Sequence, residues 1–245
     1  MEWSDDAIVL SVRRHGEMAA ILECLTRERG RHLGLVHGGG SRKAGAMLQP
    51  GNSLHLTWRA RLNEHLGSFH VEPLRVRAGE ILERRTALAG LNAWAAIASA
   101  VLPEREPHRG AYEAADLLLD AIAARDMKHW LPLHVRWEAG LLEELGFGLD
   151  LSRCAATGVT DDLIYVSPRS GRAVSREGGA PYADRLLALP SFLLASQNAS
   201  PSSGDLLAGL TLTGHFLAER VLRPHGKELP PARLRLQELA ARESE

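Results

Sequence analysis

Five short segments near the amino terminus alternate apolar and polar residues, the pattern of strands with one buried face. In the fourth segment Leu54, Leu56 and Trp58 fall on the same face, so Trp58 is expected in a core. Glycine, asparagine and proline separate the segments, as turns require. The segments span residues 8–13, 19–25, 31–37, 53–61 and 68–77. Five such strands predict a small closed barrel of the oligonucleotide-binding (OB) type at residues 1–79.

After Arg77 the hydrophobic period changes from two to about 3.6, which predicts helices. These span residues 81–102, 111–124, 133–145, 205–222 and 232–242. Residues 152–183 interrupt the pattern and predict a β-hairpin that pairs 163–167 with 172–175, while 196–204 are predicted to form a mobile loop. The sequence therefore predicts an α+β protein, with an OB-fold domain at 1–79 and a helical domain at 80–245 that contains the hairpin region.

Composition is that of a globular protein with an apolar core, since 45% of the residues are apolar and the net charge is −1. Cys24 and Cys154 belong to no Cys-x-x-Cys pair, which indicates neither a disulfide framework nor a zinc site. The first residues lack the basic and apolar regions of a signal peptide. The most apolar stretch, 88–102, is too short and polar to span a bilayer. We expect a cytoplasmic, nucleoid-associated protein without a membrane role.

Positive charge is concentrated in residues 27–77, where nine lysines and arginines face three acidic residues. Cations beside aromatic rings are typical of single-strand binding, because the cations neutralise phosphates while the rings stack on bases. The alternative interpretation is that these arginines keep a small barrel soluble. The candidate DNA-binding residues, in order of expectation, are Arg42 and Lys43, then Arg59 and Arg61, Arg29 and Arg31, and Arg75 and Arg77.

Catalytic motifs are nearly lacking, so an enzyme is not expected. The loop that begins Gly38-Gly39-Gly40 lacks the Gly-Lys-Ser/Thr ending of a phosphate-binding loop, and no helix is predicted after it. It can instead follow a nucleic-acid backbone, or serve only as a loop between strands. No cofactor or metal is expected. Two rival functions stay open, a nucleotide hydrolase that uses this loop and a protein adaptor that binds no DNA.

Ordered motifs along the chain resemble the RecO family of DNA repair proteins. The first group resembles that family's opening barrel, and the second its central helix with the following cysteine. The third is similar to its Tyr-x-Ser-Pro-x-x-Gly hairpin. The first group comprises Ala7-Ile8-Val9-Leu10, Gly16-Glu17, Thr26-x-Glu28-x-Gly30-Arg31, Gly38-Gly39-x-Ser41-Arg42-Lys43 and Leu48-Gln49-Pro50; the others are 138–154 and 165–175.

This resemblance implies a mediator of DNA repair and homologous recombination. Members of the family bind single- and double-stranded DNA and anneal complementary strands. They engage the C-terminal tail of single-stranded DNA-binding protein and, with RecR, help load RecA. Some carry a four-cysteine zinc site in which Cys154 would be the first ligand, but Thr157 stands where the second cysteine would come. Zinc is therefore not expected, and Cys154 is expected to be a buried apolar residue.

A partner site is expected on the central helix, because an acidic tail that ends in apolar residues needs a hydrophobic groove with a cation at its edge. Arg136 matches a basic residue that the family places near such a groove. Trp137, Leu141 and Leu142 would supply its apolar lining. The alternative interpretation is that Arg136 is a solvated helix residue.

Overall fold

Five strands form the N-terminal sheet of the computed structural model, which describes residues 1–194 and 201–243 apart from the side chain of Lys43. The strands are β1 (Glu2–His15), β2 (Ala19–Thr26), β3 (Gly30–His37), β4 (Ser53–Arg59) and β5 (Ser68–Arg75). Each of the five predicted strands is present. The predicted α+β class is confirmed, because helices make up most of the chain after β5.

The strand pairings form a ring in the order β1-β2-β3-β5-β4. β1 pairs antiparallel with β2 through its second half and with β4 through its first half. The ring is completed between β3 and β5 by a single parallel pair, Leu35 with Ser68. The β1 register with β2 is irregular between Val9 and Ser11, and such a β-bulge increases the local bend and twist of the strand.

The interior of this sheet is filled by the apolar faces of its strands. Leu54 and Leu56 are completely buried, and Trp58 is 1% exposed, so the predicted core position of Trp58 is confirmed. The Trp58 indole Nε1 donates a hydrogen bond of 3.0 Å to the Leu66 carbonyl. Gly67, with φ +66°, lies so close that a Cβ there would be 2.3 Å from the same nitrogen. The loop after β4 therefore closes directly over the core tryptophan.

Two predictions in this region need correction. β1 begins at Glu2 rather than at residue 8, because residues Glu2 to Asp6, which are polar apart from Trp3, pair with β4. The glycine loop is followed by a helix, α1 (Arg42–Met47), which we did not predict. The Ser41 hydroxyl caps α1 by accepting a hydrogen bond from the Ala44 amide. Leu48, directly after this helix, is completely buried.

Three further helices belong with the sheet to a compact unit, Met1–Arg125. They are α2 (Ala78–Leu82), α3 (Arg85–Val101) and α4 (Arg109–Ala124), so the helix predicted at 81–102 is divided. The predicted domain boundary at residue 79 falls inside this unit. The reason is direct packing, since a Cβ at Gly51 would lie 2.8 Å from the Leu91 side chain.

The second unit, Asp126–Glu245, contains the remaining helices. α5 (Met127–Glu144) begins six residues before the predicted start, and Pro132 lies inside it. α7 (Ser203–Phe216) starts with a capping box between Ser202 and Asp205 and continues as a π-helical segment, Leu217–Leu222. α8 (Pro231–Arg242) follows a 3₁₀ turn at Arg223–His225.

A small sheet lies between α5 and α7 in the chain. Its strands β6 (Leu163–Val166), β7 (Ala173–Ser175) and β8 (Leu187–Ala188) pair in the order β7-β6-β8. A short helix, α6 (Arg176–Gly179), and 3₁₀ turns at Ala180–Arg185 and Ser191–Leu193 complete the region. The loop predicted at 196–204 lies largely outside the described residues, and its last two belong to α7. No helix in the described ranges has the length and apolarity to cross a membrane.

Candidate nucleic-acid interface

Five of the eight predicted DNA-binding residues, Arg29, Arg42, Lys43, Arg59 and Arg61, lie at two opposite ends of β1. At its start Glu2 pairs with Arg59, and at its end His15 pairs with Ala19, whose other neighbour is His37. β1 is fourteen residues long, and a strand rises about 3.3 Å per residue, so its ends are up to roughly 40 Å apart along the strand. The sequence alone could not show that these residues fall into two groups, because their positions depend on how β1 pairs with β2 and β4.

The first group, which we call the glycine-loop end, consists of Arg13, Arg14 and Arg42. All three side chains are exposed. The Gly40 amide donates a hydrogen bond of 3.3 Å to the Met18 carbonyl, which holds the glycine loop against the β1–β2 turn. Lys43 follows Arg42 in α1. Sequence reasoning missed Arg13 and Arg14, because the first 26 residues are acidic overall and the extension of β1 to His15 was not predicted.

The second group, which we call the tryptophan end, consists of Trp3, Arg29, Arg59 and Arg61. The three arginines are exposed, and Arg29 places its guanidinium carbon 5.8 Å from the centre of the Trp3 ring. Arg59 forms an ion pair of 2.9 Å with Glu2, yet 67% of its side chain is exposed. Such an exposed pair contributes little stability, so a phosphate can replace Glu2 as its partner.

Two predicted residues, Arg31 and Arg77, are held inside the first unit. The Arg31 side chain is 15% exposed; it donates to Glu23 at 2.7 Å and to the Leu102 carbonyl at 2.8 Å. Arg77 is 2% exposed and reaches Asp116 at 2.5 Å and Asp120 at 2.6 Å. The buried, fully engaged guanidinium of Arg77 is not accessible to a phosphate, and the partners of Arg31 leave only a small part of its side chain exposed. The geometry gives both arginines a structural role in place of the expected contact with DNA.

Arg75 is intermediate between these cases. It forms an ion pair with Asp120, one of the acceptors of Arg77, but 55% of its side chain is exposed. It belongs to neither end, because it pairs with Ser53 near the middle of β1. Alternation along the strand did not separate Arg75 from Arg77, since the acidic partners lie on α4, about forty residues further on.

In the second unit the expected partner site is mostly interior. Trp137 is 3% exposed, Leu141 is 1% exposed and Leu142 is completely buried. Arg136 alone is exposed, and its guanidinium donates hydrogen bonds of 2.8 and 3.1 Å to the Phe192 carbonyl. The three apolar residues therefore belong to the interior of the second unit and do not line an open groove.

Cys154 is the residue that the family resemblance implies as the first ligand of a zinc site. Its sulfur accepts hydrogen bonds from the Thr157 amide at 3.4 Å, the Ser175 amide at 3.2 Å and the Ser175 hydroxyl at 3.3 Å. Burial alone would raise the pKa of this thiol, but these hydrogen bonds outweigh burial and lower the pKa to about 6. One cysteine among hydroxyl groups does not fit a four-cysteine zinc site.

Comparison with known proteins assigns both parts of the chain. Residues 1–77 match the family model "Recombination protein O N terminal", and residues 82–229 match "Recombination protein O C terminal". The chain is 54% identical to a DNA repair protein RecO of Cereibacter sphaeroides over 243 residues, 99% of each chain. It is 53% identical to the RecO protein of Phenylobacterium zucineum over 234 residues, 96% of this chain and 95% of the relative.

A RecO protein of Caulobacter vibrioides is similarly close, with 52% identity over 234 residues that cover 96% of this chain and 95% of the relative. The class defined by these matches is that of DNA repair and recombination proteins. Within that class, the chain belongs to the RecO family.

Proposed function

We propose that this chain is a recombination mediator that binds single- and double-stranded DNA, anneals complementary strands and, with RecR, helps load RecA. It would act on DNA coated by single-stranded DNA-binding protein and would engage the C-terminal tail of that protein. We also propose that the five-stranded ring is an OB-type barrel and the surface that meets DNA. This function needs no bond cleavage by the protein, so the proposal includes no catalytic residue.

The observation that carries the proposal is the pair of cationic ends on one small sheet. Arg13, Arg14 and Arg42 mark the glycine-loop end, and none of these three side chains forms an ion pair within the described part of the chain. Arg29 and Arg61 at the tryptophan end are equally available. Phosphates attract such side chains without regard to sequence, because the contact is to the backbone and not to base edges.

The distance between the glycine-loop end and the tryptophan end supports a role in annealing. Two polyanions repel each other, so their pairing requires cations that screen both backbones while the base edges stay free. Two groups of arginines up to roughly 40 Å apart along β1 can hold two strands, or two stretches of one duplex. A site with a single compact cation cluster would hold one strand only. This arrangement supports binding to both forms of DNA.

The experiment that tests the proposal is annealing of two complementary labelled strands coated with single-stranded DNA-binding protein. We expect the chain to accelerate pairing without any nucleotide, by screening phosphate repulsion at the two ends. A folded preparation that leaves the annealing rate unchanged, with and without RecR, would contradict the mediator function. The absence of nucleotide turnover in the same reactions would separate a mediator from a nucleotide hydrolase.

Salt dependence tests where DNA binds. Neutralisation of about four to six phosphates predicts a slope of roughly −3 to −4 for log affinity against log salt on a single strand. Replacing Arg59 and Arg61 together by alanine should make that slope shallower by about 1 to 1.5. Arg85→Ala, an exposed arginine of α3 at neither end, is the matched control. An unchanged slope in the double variant would exclude the tryptophan end.

Tail binding is proposed at Arg136. The acidic tail of single-stranded DNA-binding protein would meet this guanidinium, which is fixed by the Phe192 carbonyl. We expect Arg136→Ala to weaken binding of a tail peptide and to leave DNA affinity unchanged. Arg235→Ala, an exposed arginine of α8, is the control and should bind the peptide normally. Equal peptide affinity in the wild type and Arg136→Ala would exclude this site.

A further inference from the structure

A cavity of ≈ 210 Å³ opens at the tryptophan end of the sheet. It is lined by Trp3, Arg29, His32, Trp58, Asn63 and Arg105. Two indoles, an imidazole, an amide and two guanidinium groups therefore surround one space. Flat rings with cations at the rim suit a planar, hydrogen-bonding group attached to a phosphate. A nucleobase of a single DNA strand has this chemistry.

Trp3 forms the platform of the cavity. Its ring is stacked on the core residue Trp58, with centroids 5.6 Å apart and an interplanar angle of 20°. Trp58 is buried, whereas Trp3 is only partly buried. Phe69 and His32 meet the Trp3 ring edge-on, at 6.4 and 5.1 Å. These contacts fix the indole in place, so a base that stacks on it loses little entropy in ordering its partner.

Arg105, one of the two cations at the rim of the cavity, is held in place by hydrogen bonds of its backbone and its side chain. Arg105 has a left-handed backbone with φ +62°, unusual for a residue other than glycine. Its amide donates a hydrogen bond of 2.8 Å to the Arg31 carbonyl on β3. Its guanidinium donates to the carbonyl of Asn63, and to that of His65 at 3.0 Å. Arg105 thus ties the loop after β4 to the sheet, and this loop carries Asn63 to the cavity.

Two polar groups in the cavity can read a base edge. Asn63 is exposed, and its side-chain amide forms no hydrogen bond within residues 1–194 and 201–243. Burial lowers the pKa of His32, so its ring is neutral at pH 7. His32 Nδ1 lies 3.0 Å from the Leu33 carbonyl, which makes Nδ1 the protonated nitrogen and leaves Nε2 as an acceptor. The cavity therefore offers both donors and acceptors.

We propose that this cavity binds one unstacked base of a single DNA strand, with its ring on Trp3 and its edge at Asn63 and His32. Arg29 covers the Trp3 ring at 5.8 Å and is exposed, so it can move aside or stack on the other face of the base. The inference rests on the proposed DNA binding and adds to it a specific contact with a base. A strand held this way keeps its neighbouring bases free to pair.

The test compares a thymidine oligomer with an abasic oligomer that has the same number of phosphates. Trp94, Trp130 and Trp137 are at most 3% exposed and do not line the cavity, so quenching of intrinsic fluorescence reports mainly on the stacked pair Trp3 and Trp58. We expect the wild type to bind the thymidine oligomer more tightly and with quenching. Trp3→Leu, which keeps an apolar contact with Trp58, should bind it roughly tenfold more weakly and bind the abasic oligomer as the wild type does.

Asn63→Ala provides a second variant that cannot disturb the core, because Asn63 lies on an exposed loop. It should lower affinity for the thymidine oligomer severalfold and leave the abasic oligomer unaffected. Leu62→Ala, on the same loop but outside the cavity lining, is the control. Equal affinity of the wild type for both oligomers, with neither variant changing it, would overturn the base pocket alone. A wild type that binds neither oligomer would overturn the pocket together with the proposed DNA binding.

Discussion

Arg233 and Glu138 form a bidentate ion pair in the interior of the second unit. Arg233 Nε lies 2.5 Å from Glu138 Oε1 and Nη2 lies 3.0 Å from Oε2, and both side chains are completely buried. The residues are 95 positions apart in the sequence, so the pair joins α5 to α8. The Thr213 hydroxyl donates a further hydrogen bond to Glu138 Oε2. Burial alone would raise the pKa of Glu138, but Arg233 holds it well below its usual range.

Removal of one partner should destabilise the second unit strongly. Arg233→Met leaves the Glu138 carboxylate buried without its cation, and the expected loss of unfolding free energy is about 3 to 5 kcal/mol. Denaturant titration measures it. Arg235→Met changes an exposed arginine two residues further along α8 and should cost less than about 0.5 kcal/mol. Similar losses in the two variants would show that the buried pair has no special role.

Arg77 should act on stability and not on DNA affinity. Its guanidinium also donates to the Gly51 carbonyl at 3.1 Å and to the Ser53 hydroxyl at 2.6 Å. Arg77→Ala therefore leaves two buried acceptors and two partly exposed carboxylates without this donor, and we expect a loss of about 3 kcal/mol. The salt slope of DNA binding by the folded fraction should stay that of the wild type. A slope shallower by about 0.7 would instead assign Arg77 to a phosphate contact.

The sequence predicted all five strands of the N-terminal sheet, apart from the first residues of β1, because the alternation of apolar and polar residues is a local signal. Trp58 was assigned to the core from its phase with Leu54 and Leu56, and it lies there. Arg31 and Arg77 could not be distinguished from exposed arginines in this way. Their acceptors belong to other elements of the fold: the β3 residue Arg31 pairs with Glu23 on β2, and Arg77 pairs with acidic residues on α4.

The cavity at the tryptophan end could not be predicted from local sequence patterns either. Trp3 stands in a stretch of polar residues that predicts no strand, and it reaches the cavity because β1 begins at Glu2. Arg105 comes from the connection between α3 and α4, and no periodic signal marks it. The lining is assembled from four segments of the chain, with 26 to 42 residues from one segment to the next. Tertiary packing and strand register therefore place these groups together, and composition could only indicate that cations and rings were present.

Gly30 should tolerate no side chain. It has φ +69°, and a Cβ there would lie 1.9 Å from the Glu106 carbonyl oxygen, which the neighbouring Arg105 contact holds against β3. Gly30→Ala must therefore shift the segment that carries Arg105. Gly16→Ala is the matched control, with φ +63° and open space around it, so it bears only the backbone cost of about 1 to 2 kcal/mol.

We expect Gly30→Ala to lose clearly more unfolding free energy than Gly16→Ala, and to lose affinity for the thymidine oligomer as well. Thermal unfolding and the oligomer titration measure the two effects separately. Equal stability of the two variants would mean that the 104–106 segment moves freely away from β3. The proposed position of Arg105 at the cavity would then fail.

Cys154 should make stability depend on pH. Its folded pKa is about 6, lowered by the hydrogen bonds that Ser175 and Thr157 donate to the sulfur, whereas the ordinary pKa of a cysteine thiol is 9.0. Between these values the unfolded chain binds more protons than the folded one, so stability rises with pH. The contribution of Cys154 is complete above pH 9 and is lost as the pH falls through 6.

The difference in unfolding free energy between the wild type and Cys154→Ala should therefore grow steadily from pH 6 to pH 8.5. Cys24 supplies the contrast, because burial raises its pKa far above neutrality and its sulfur donates to the His32 carbonyl at 3.5 Å. Cys24→Ala should lower stability by an amount that does not change over this range. Denaturant titrations at several pH values under reducing conditions measure both differences. A constant difference for Cys154→Ala would show that the folded protein keeps this sulfur as a neutral thiol, and that Ser175 and Thr157 do not stabilise a thiolate.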